Sequence, residues 1–230
     1  MIPQEPIHES REVRWLALLR DLQTSLATGL RSLEGKPLPP GEPQYLAWSS
    51  VFVHKAADGY LWLRESGRVF ASKLLVRPAL EATLSAMAVL KKPGFLFRIL
   101  YSELEKHKKM LRNNPAAIAE ADQVLRDMEA AAKIARPGSP LERKQVDMAY
   151  TAKVAGHSVI YERTYRTYCK FTHGAMEAVR GHLDEATDSL DTDVVVWCVL
   201  MLLDELRQHT SAKVPDLEPF WKRMEALDAS

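Results

Sequence analysis

The amino-acid sequence predicts an all-α fold: a single-domain, up-and-down helical bundle with additional peripheral helices over residues 1–230. Apolar residues recur at spacings of three and four inside segments bounded by Pro, Gly, Asn or Ser, as in helices with one buried face. No segment shows the period-two alternation that a half-buried strand requires. The composition, 47% hydrophobic and 27% charged over 230 residues, is that of one folded domain.

The helical pattern divides the chain into a series of segments. The predicted helices lie at 10–33, 44–54, 60–90, 95–112, 116–135, 141–155, 158–173 and 194–209, with a short terminal helix introduced by Pro215 and Pro219.

The boundaries of the first three predicted helices follow from capping residues and helix-breaking residues. Ser10 is a candidate N-cap for the first helix. The segment 36–43 holds four of the thirteen prolines and is a predicted loop. Asp58-Gly59 is a predicted break between the second and third helices. Pro78 falls inside the third helix, which we expect to kink there because proline removes one backbone donor.

The later helices are separated by further turn residues. Pro93-Gly94, Asn113 to Pro115 and Pro137 to Pro140 supply these breaks. Val194 to Leu203 is the longest uninterrupted apolar stretch. A membrane helix needs about 20 apolar residues, so this shorter stretch predicts a buried core helix and no membrane association.

Cysteine content and the N-terminus favour a cytoplasmic protein. Cys169 and Cys198 are the only cysteines, too few for a disulfide-stapled secreted scaffold and wrongly spaced for a structural zinc site. They are predicted to be small buried residues. Met1 to Ser10 contains two glutamates and no apolar run, which is not the pattern of a signal peptide.

Charge is balanced overall and uneven locally. With 31 Lys plus Arg against 30 Asp plus Glu, the formal net charge of +1 excludes a generally basic nucleic-acid or membrane binder. The stretch Lys91 to Arg112 is nevertheless rich in cations, and Asp184 to Glu205 carries acids and no base. One interpretation is that both stretches are solvated helix faces. The alternative is that the basic stretch is a phosphate-tracking surface beside the helix at 158–173, while the acidic stretch faces elsewhere or faces a partner protomer.

The segment from Tyr161 to His173 combines aromatic rings, cations and a histidine. In a regular helix Arg166 and His173 lie only about 20° apart around the axis and about 10 Å apart along it. Both side chains can therefore converge on one phosphate. Arg163 and Lys170 complete this cationic row, and an adjacent face that can pack inward is formed by Tyr161, Tyr165, Cys169 and Thr172.

These residue types suit phosphodiester chemistry. An imidazole takes or returns a proton near neutral pH, and a guanidinium stabilises the charge that develops on a reacting phosphate. The chemistry needs no metal and no other cofactor. A metal site would require His54, His157 and His173 to converge. The alternative is that the row is an ordinary cationic helix face with a histidine near the helix C-terminus.

Arg77 and Glu81 are four residues apart on one predicted helix. A side-chain pair is the simplest interpretation of this spacing. A second hypothesis is that Glu81 orients Arg166 or His173 from across the bundle. Glu177, one turn beyond His173, is a local candidate for the same role.

Two resemblances rest on these residues. Arg166 and His173, with six residues between them, resemble the Arg-x4-to-6-His signature of HEPN domains, although Thr167 stands where HEPN nucleases favour Asn, Asp or His. HEPN domains are small helical proteins, usually dimeric, that include metal-independent endoribonuclease toxins and defence effectors.

The second resemblance covers roughly residues 66–178. Arg77-x3-Glu81 followed by Tyr165-x3-Cys169-x3-His173 is similar to an uncharacterised bacterial and phage family of helical domains, in which Ser usually stands at the position of Cys169. This likeness implies an all-helical fold with a distant HEPN kinship, and no established activity.

The HEPN resemblance implies an RNA substrate or ligand, a homodimer and a cognate protein partner. It implies His173 as general acid and base, Arg166 as stabiliser of the phosphate charge, Arg163 and Lys170 as phosphate contacts, and Tyr165 as a supporting or base-stacking residue. The alternative function is a non-catalytic helical interaction module, antitoxin-like or scaffolding, in which the same row is a salt-bridged helix face.

Overall fold

The computed structural model describes residues 10–135, 137–138, 141–165, 168 and 189–229, and every regular element in these ranges is helical. The predicted all-α class is confirmed. The elements are α1 (Arg11–Arg31), α2 (Glu42–Glu65), α3 (Val69–Lys91), α4 (Phe95–Met110), α5 (Pro115–Ala135), α6 (Met148–Ala155), α7 (Ser158–Ile160), a π-helical turn (Tyr161–Tyr165), α8 (Ser189–His209) and α9 (Glu218–Asp228).

Helices α1, α2, α3 and α8 form the core of the bundle. Helix α2 packs against α1 and α3, and α8 contacts all three. The peripheral helices attach to this core: α6 packs on α3, α9 packs on α1, and α4 and α5 pack against each other. The buried apolar side chains of the four core helices, with those of α6 and of the segment that contains Tyr165 and Tyr168, form one continuous cluster.

The core helices do not alternate in direction throughout. Arg64 at the end of α2 pairs with Glu12 at the start of α1, and His54 near the middle of α2 meets Gln23 near the middle of α1, so α1 and α2 are antiparallel. Lys73 near the start of α3 meets Asp191 near the start of α8, and Thr83 further along α3 contacts Cys198 further along α8, so these two helices run parallel. The predicted up-and-down order is therefore wrong for α8, because the long connection through α4 to α7 returns the chain to the opposite end of the bundle.

The predicted N-cap of α1 is present. The Oγ atom of Ser10 accepts a hydrogen bond from the backbone N–H of Val13 at 3.3 Å, which satisfies one of the free donors at the helix start. The buried face of α1 includes Leu18, Leu22 and Leu26.

The predicted break at Asp58-Gly59 is wrong, because α2 continues to Glu65. A Cβ atom at Gly59 would lie 3.1 Å from Cδ1 of Leu75, so the glycine allows α3 to approach α2 closely. The turn comes instead at 66–68, where Gly67 has a φ of +71° that other residues rarely adopt.

One further boundary differs from the sequence prediction. Residues 141–147 are not helical, and α6 begins only at Met148, where Oδ1 of Asp147 accepts a hydrogen bond from the N–H of Tyr150 at 2.7 Å. Helix α3 contains Pro78 in its interior, as predicted, and continues to Lys91.

Helix α8 has the predicted buried character. Eight of the ten residues from Val194 to Leu203 are buried. Cys198 is fully buried, as predicted, and burial raises the pKa of its thiol to about 12. Cys169 lies outside the described residues. In the described ranges, no helix combines the length and apolarity that crossing a bilayer requires.

A charged pair lies inside the core, where α3 meets α8. The side chains of Lys73 and Asp191 are 1% and 4% exposed, and their Nζ and Oδ2 atoms are 3.6 Å apart. The hydroxyl of Tyr168 donates a hydrogen bond to Oδ1 of Asp191. One helical position further on, the hydroxyls of Tyr60 and Thr192 are hydrogen-bonded at 2.8 Å. The interpretation of the acidic stretch as solvated is therefore wrong for Asp191.

We expect Asp191→Ala to lower the free energy of unfolding by about 3–5 kcal/mol, because it removes the carboxylate that compensates a buried ammonium group. Replacing both partners, as Lys73→Met with Asp191→Leu, should recover most of that loss. Urea denaturation followed by circular dichroism measures both effects.

The matched control is Lys106→Met, which removes a lysine from an exposed ion pair with Glu103. That variant should change the free energy of unfolding by less than about 0.5 kcal/mol. A cost for Asp191→Ala no larger than that of the control would contradict the importance of the buried pair.

Candidate functional site

Three of the predicted site residues meet in one hydrogen-bonded cluster. Nε of Arg77 donates to Oε1 of Glu81 at 2.8 Å, and the hydroxyl of Tyr165 donates to the same oxygen at 2.7 Å. An Arg77 Nη2 atom also donates to the Tyr165 hydroxyl at 3.2 Å. Tyr165 is 88 residues from Arg77, so this cluster joins α3 to the segment that carries the predicted catalytic residues.

The helical structure of α3 explains the contact between Arg77 and Glu81. A spacing of four places Arg77 and Glu81 on one face of the helix, where they form the expected ion pair. The hypothesis that Glu81 orients Arg166 or His173 concerns residues outside the described ranges. The residue of that segment that Glu81 contacts is Tyr165.

Tyr165 is held by its ring as well as by its hydroxyl. The rings of Tyr161 and Tyr165 are stacked with centroids 4.8 Å apart, and the guanidinium carbon of Arg77 lies 5.2 Å from the Tyr165 centroid. The backbone between the two tyrosines is a π-helical turn, not the regular α-helix that the sequence predicts. Such turns insert one extra residue and occur often at functional sites.

A second tyrosine of the same segment is anchored to the core. The hydroxyl of Tyr168 donates to Asp191, which faces Lys73. The sequence pattern does not predict Tyr168, Asp191 or Lys73 as site residues. Two features of the sequence point to these residues. Lys73 lies four positions before Arg77 on the same helix, and Asp191 is a charged residue at the start of a helix that is mostly apolar.

The cluster lines an open cavity of about 660 Å³, which we call the site cavity. Its walls come from α2, α3, α4, residues 146–151 and Tyr165. Four aromatic side chains line it, together with acidic, basic and hydroxyl groups: Tyr45, Trp48, Phe52 and Tyr165. Burial raises the pKa of Tyr45, and the negative charge of Glu103 adds to this effect. The volume is in the range of small-ligand sites.

Arg163 lies away from the cluster. It lines a second cavity, of about 740 Å³, which also borders Trp15, His157 and Trp197. The predicted cationic row therefore begins on a different cavity from the one that Tyr165 lines. The other predicted site residues are outside the described ranges: Arg166, Cys169, Lys170, His173 and Glu177.

The second cavity contains a carboxyl group with an altered proton affinity. Burial raises the pKa of Asp193 to about 7, and the negative charges of Asp228 and Asp191 add to this effect. The Val194 backbone N–H and the charge of Arg11 act in the opposite direction.

The basic stretch at 91–112 is largely neutralised by acids close to it in space. Four of its seven cations form ion pairs within the described part of the chain: Lys92 and Arg98 with Glu142, Lys106 with Glu103, and Lys108 with Glu105 and Asp122. The stretch is thus mostly a salt-bridged surface, which weakens the interpretation of it as a phosphate-tracking surface.

The histidines considered for a metal site have other contacts. Nδ1 of His54 is hydrogen-bonded to Oε1 of Gln23 at 2.9 Å, and the ring of His157 packs edge-on against Trp197. His173 is outside the described ranges. Within those ranges, no group of three or more His, Cys, Asp or Glu residues could hold a metal ion.

Comparison of the chain with protein-family models, with curated proteins and with solved structures returned no match.

We expect Tyr165→Phe to lower the free energy of unfolding by about 1–2 kcal/mol, because it removes two hydrogen bonds to charged partners and keeps the ring. Urea denaturation gives the value. The matched control is Tyr161→Phe, which changes the other ring of the stack and should have little effect. In a Glu81→Gln background the cost of Tyr165→Phe should shrink; an unchanged cost would show that the two residues are not coupled.

We expect the stability gained by Asp193→Asn to grow between about pH 4 and pH 7 and then level off. The folded-state pKa of Asp193 is raised, so the folded chain holds this proton more tightly than the unfolded chain does. This group's contribution to stability therefore falls as pH rises through that window. Urea denaturation of both proteins across the pH range tests this, and a difference that does not vary with pH would contradict it.

Proposed function

We propose that the protein is a HEPN-like RNA-binding domain that cleaves RNA without a metal ion, as part of a toxin or phage-defence system. The observation that carries the proposal is the meeting of Arg77, Glu81 and Tyr165 in the wall of the site cavity. The sequence pattern predicts these three residues as supporting or orienting residues for Arg166 and His173.

Support for the proposal comes first from the anchoring of the predicted catalytic segment. Tyr165 directly precedes Arg166 in the chain, and Tyr168 follows it by two residues. The hydroxyls of both tyrosines are bonded to carboxylates on core helices, Glu81 and Asp191. A segment that must hold a catalytic side chain in one position needs anchors of this kind.

The proposed chemistry uses His173 and Arg166. His173 takes the proton from the ribose 2′-hydroxyl, and the 2′-oxygen then forms a bond to phosphorus as the bond to the 5′-oxygen breaks. The histidine returns the proton to the departing 5′-oxygen. Arg166 stabilises the charge on the phosphate oxygens during the transfer. The products are a 2′,3′-cyclic phosphate and a 5′-hydroxyl, so atoms and protons balance.

In this scheme Arg77, Glu81 and Tyr165 act as positioning residues. Arg77 and Glu81 hold the Tyr165 hydroxyl, and through it the chain that enters Arg166. The Arg77–Glu81 pair is neutral as a unit, so it can fix the segment without adding net charge at the cavity wall. Arg163 and Lys170 are proposed phosphate contacts, with Cys169 and Glu177 as supporting residues.

A second candidate function is a non-catalytic helical interaction module. The specific observation in its favour is the pairing of basic side chains with acids on the α4 surface, such as Lys108 with Asp122 at 2.7 Å. In this case the Arg77–Glu81–Tyr165 cluster is purely structural, and the protein binds a protein partner without cleaving RNA.

We expect the purified protein to cleave single-stranded RNA in the presence of EDTA and to leave 2′,3′-cyclic phosphate and 5′-hydroxyl ends. His173→Ala and Arg166→Ala should reduce the rate by at least about 100-fold, because general acid-base catalysis and charge stabilisation each contribute that much. Gel analysis of end-labelled RNA measures the rates, and kinase labelling identifies the 5′-hydroxyl ends.

Matched controls change the same residue types elsewhere. His209→Ala removes a half-exposed histidine that contacts Glu205, and Arg143→Ala removes an exposed arginine that pairs with Glu129. Both should retain the wild-type rate. Equal residual cleavage by the wild type, His173→Ala and Arg166→Ala would rule out the enzyme and favour the interaction module.

A further inference from the structure

Two exposed aromatic side chains of α2 line the site cavity. Trp48 and Phe52 are 63% and 49% exposed, and the spacing of four places them on one face of the helix. Large aromatic side chains usually bury most of their surface in a protein core. Their Cα atoms are separated by about 6 Å along the helix axis. Both side chains line the cavity whose wall contains the Arg77–Glu81–Tyr165 cluster, so together they provide an exposed aromatic surface there.

The charges that line the cavity do not favour a phosphate inside it. The two cations are each paired with an acid of the same lining: Arg77 with Glu81 at 2.8 Å, and Lys106 with Glu103 at 2.7 Å. Asp147 adds one further carboxylate. The described lining therefore carries a formal charge of −1. A neutral, flat group fits this environment better than an anion does.

The cavity wall also contains polar groups near the edge of such a flat group. The hydroxyls of Ser49 and Ser85 are hydrogen-bonded to that of Tyr45, and Oε1 of Glu81 accepts from Arg77 and Tyr165. Each hydroxyl can make more than one hydrogen bond, and the second carboxylate oxygen of Glu81 is a further acceptor. An aromatic surface with nearby donors and acceptors is the environment in which proteins hold the unpaired bases of single-stranded RNA.

We infer that the site cavity takes an unpaired nucleobase of single-stranded RNA, stacked on Trp48 and Phe52, while the phosphates of the strand stay outside. This inference rests on the proposed function, because it names the part of an RNA substrate that enters the site. A base within a duplex is stacked and paired on both sides, so duplex RNA does not offer it to the cavity.

The chain provides a matched control for the stacking residues. Trp62 is 58% exposed and lies on the same helix, about 21 Å along the axis from Trp48. The guanidinium carbon of Arg68 lies 5.2 Å from the centroid of its ring. Trp62 is not one of the described residues that line the site cavity.

The test measures binding separately from cleavage. The probe is a short, fluorescein-labelled, single-stranded 2′-O-methyl RNA, which cannot be cleaved because its 2′-oxygen is blocked. Fluorescence anisotropy gives the Kd for the wild type, Trp48→Ala, Phe52→Ala and Trp62→Ala. We expect the first two substitutions to raise the Kd at least about five-fold. Trp62→Ala should bind like the wild type, and a duplex of the same sequence should bind more weakly.

All three substituted side chains are exposed, so the variants should fold, and far-UV circular dichroism with urea denaturation checks this. The inference would be overturned if Trp48→Ala, Phe52→Ala and Trp62→Ala all bound the single-stranded probe equally well. It would also be overturned if the wild type bound duplex as tightly as single-stranded RNA, or if the wild type bound no RNA.

Parallel cleavage assays with unmodified RNA separate this inference from the proposed function. If the wild type cleaves RNA and His173→Ala does not, while the stacking variants bind normally, the inference fails and the proposed function stands. If binding depends on Trp48 and Phe52 while the wild type cleaves nothing, the stacking site stands and the catalytic proposal fails.

Discussion

The buried ion pair between Lys73 and Asp191 is the constraint on which the arrangement of this bundle depends. Taking an ammonium and a carboxylate out of water is costly, and the cost is recovered only when the two groups meet and their remaining hydrogen-bonding capacity is used. The 3.6 Å contact therefore fixes the start of α3 against the start of α8. The hydroxyl of Tyr168 donates a hydrogen bond to the other oxygen of this carboxylate, Oδ1, and ties Tyr168 to the same point.

The candidate site extends from this buried pair along a single face of α3. Lys73, Arg77 and Glu81 follow each other at spacings of four, so one helical face changes from core to cavity wall within two turns. Tyr168 is bonded at the buried end and Tyr165 at the cavity end. The stability of the bundle and the position of the proposed catalytic segment thus depend on the same face of the same helix.

Among the described residues, charges that are unevenly distributed along the sequence compensate each other in space. Basic and acidic residues are segregated along the sequence, yet Arg98 reaches Glu142 at 2.8 Å and Lys108 reaches Asp122 at 2.7 Å. Inside the site cavity the same compensation occurs between Arg77 and Glu81. Most charged side chains that line the site cavity are paired with each other, and aromatic rings are exposed there. Such a site recognises ligands by stacking and hydrogen bonds more than by net charge, which favours a nucleobase over a phosphate as the bound group.

The sequence by itself determined the helical class, the buried character of α8, the Ser10 cap and the Arg77–Glu81 pair, because each depends on residues within a few positions of one another. Only the tertiary structure decided that Gly59 is a close helix contact and not a break, and that Tyr165 joins a pair 88 residues earlier. The direction of α8 and its buried pair with Lys73 were also decided there. Periodicity shows which face of a helix is buried, but it does not show which other helix packs on that face. Contacts between residues far apart in the sequence depend on which helices pack together.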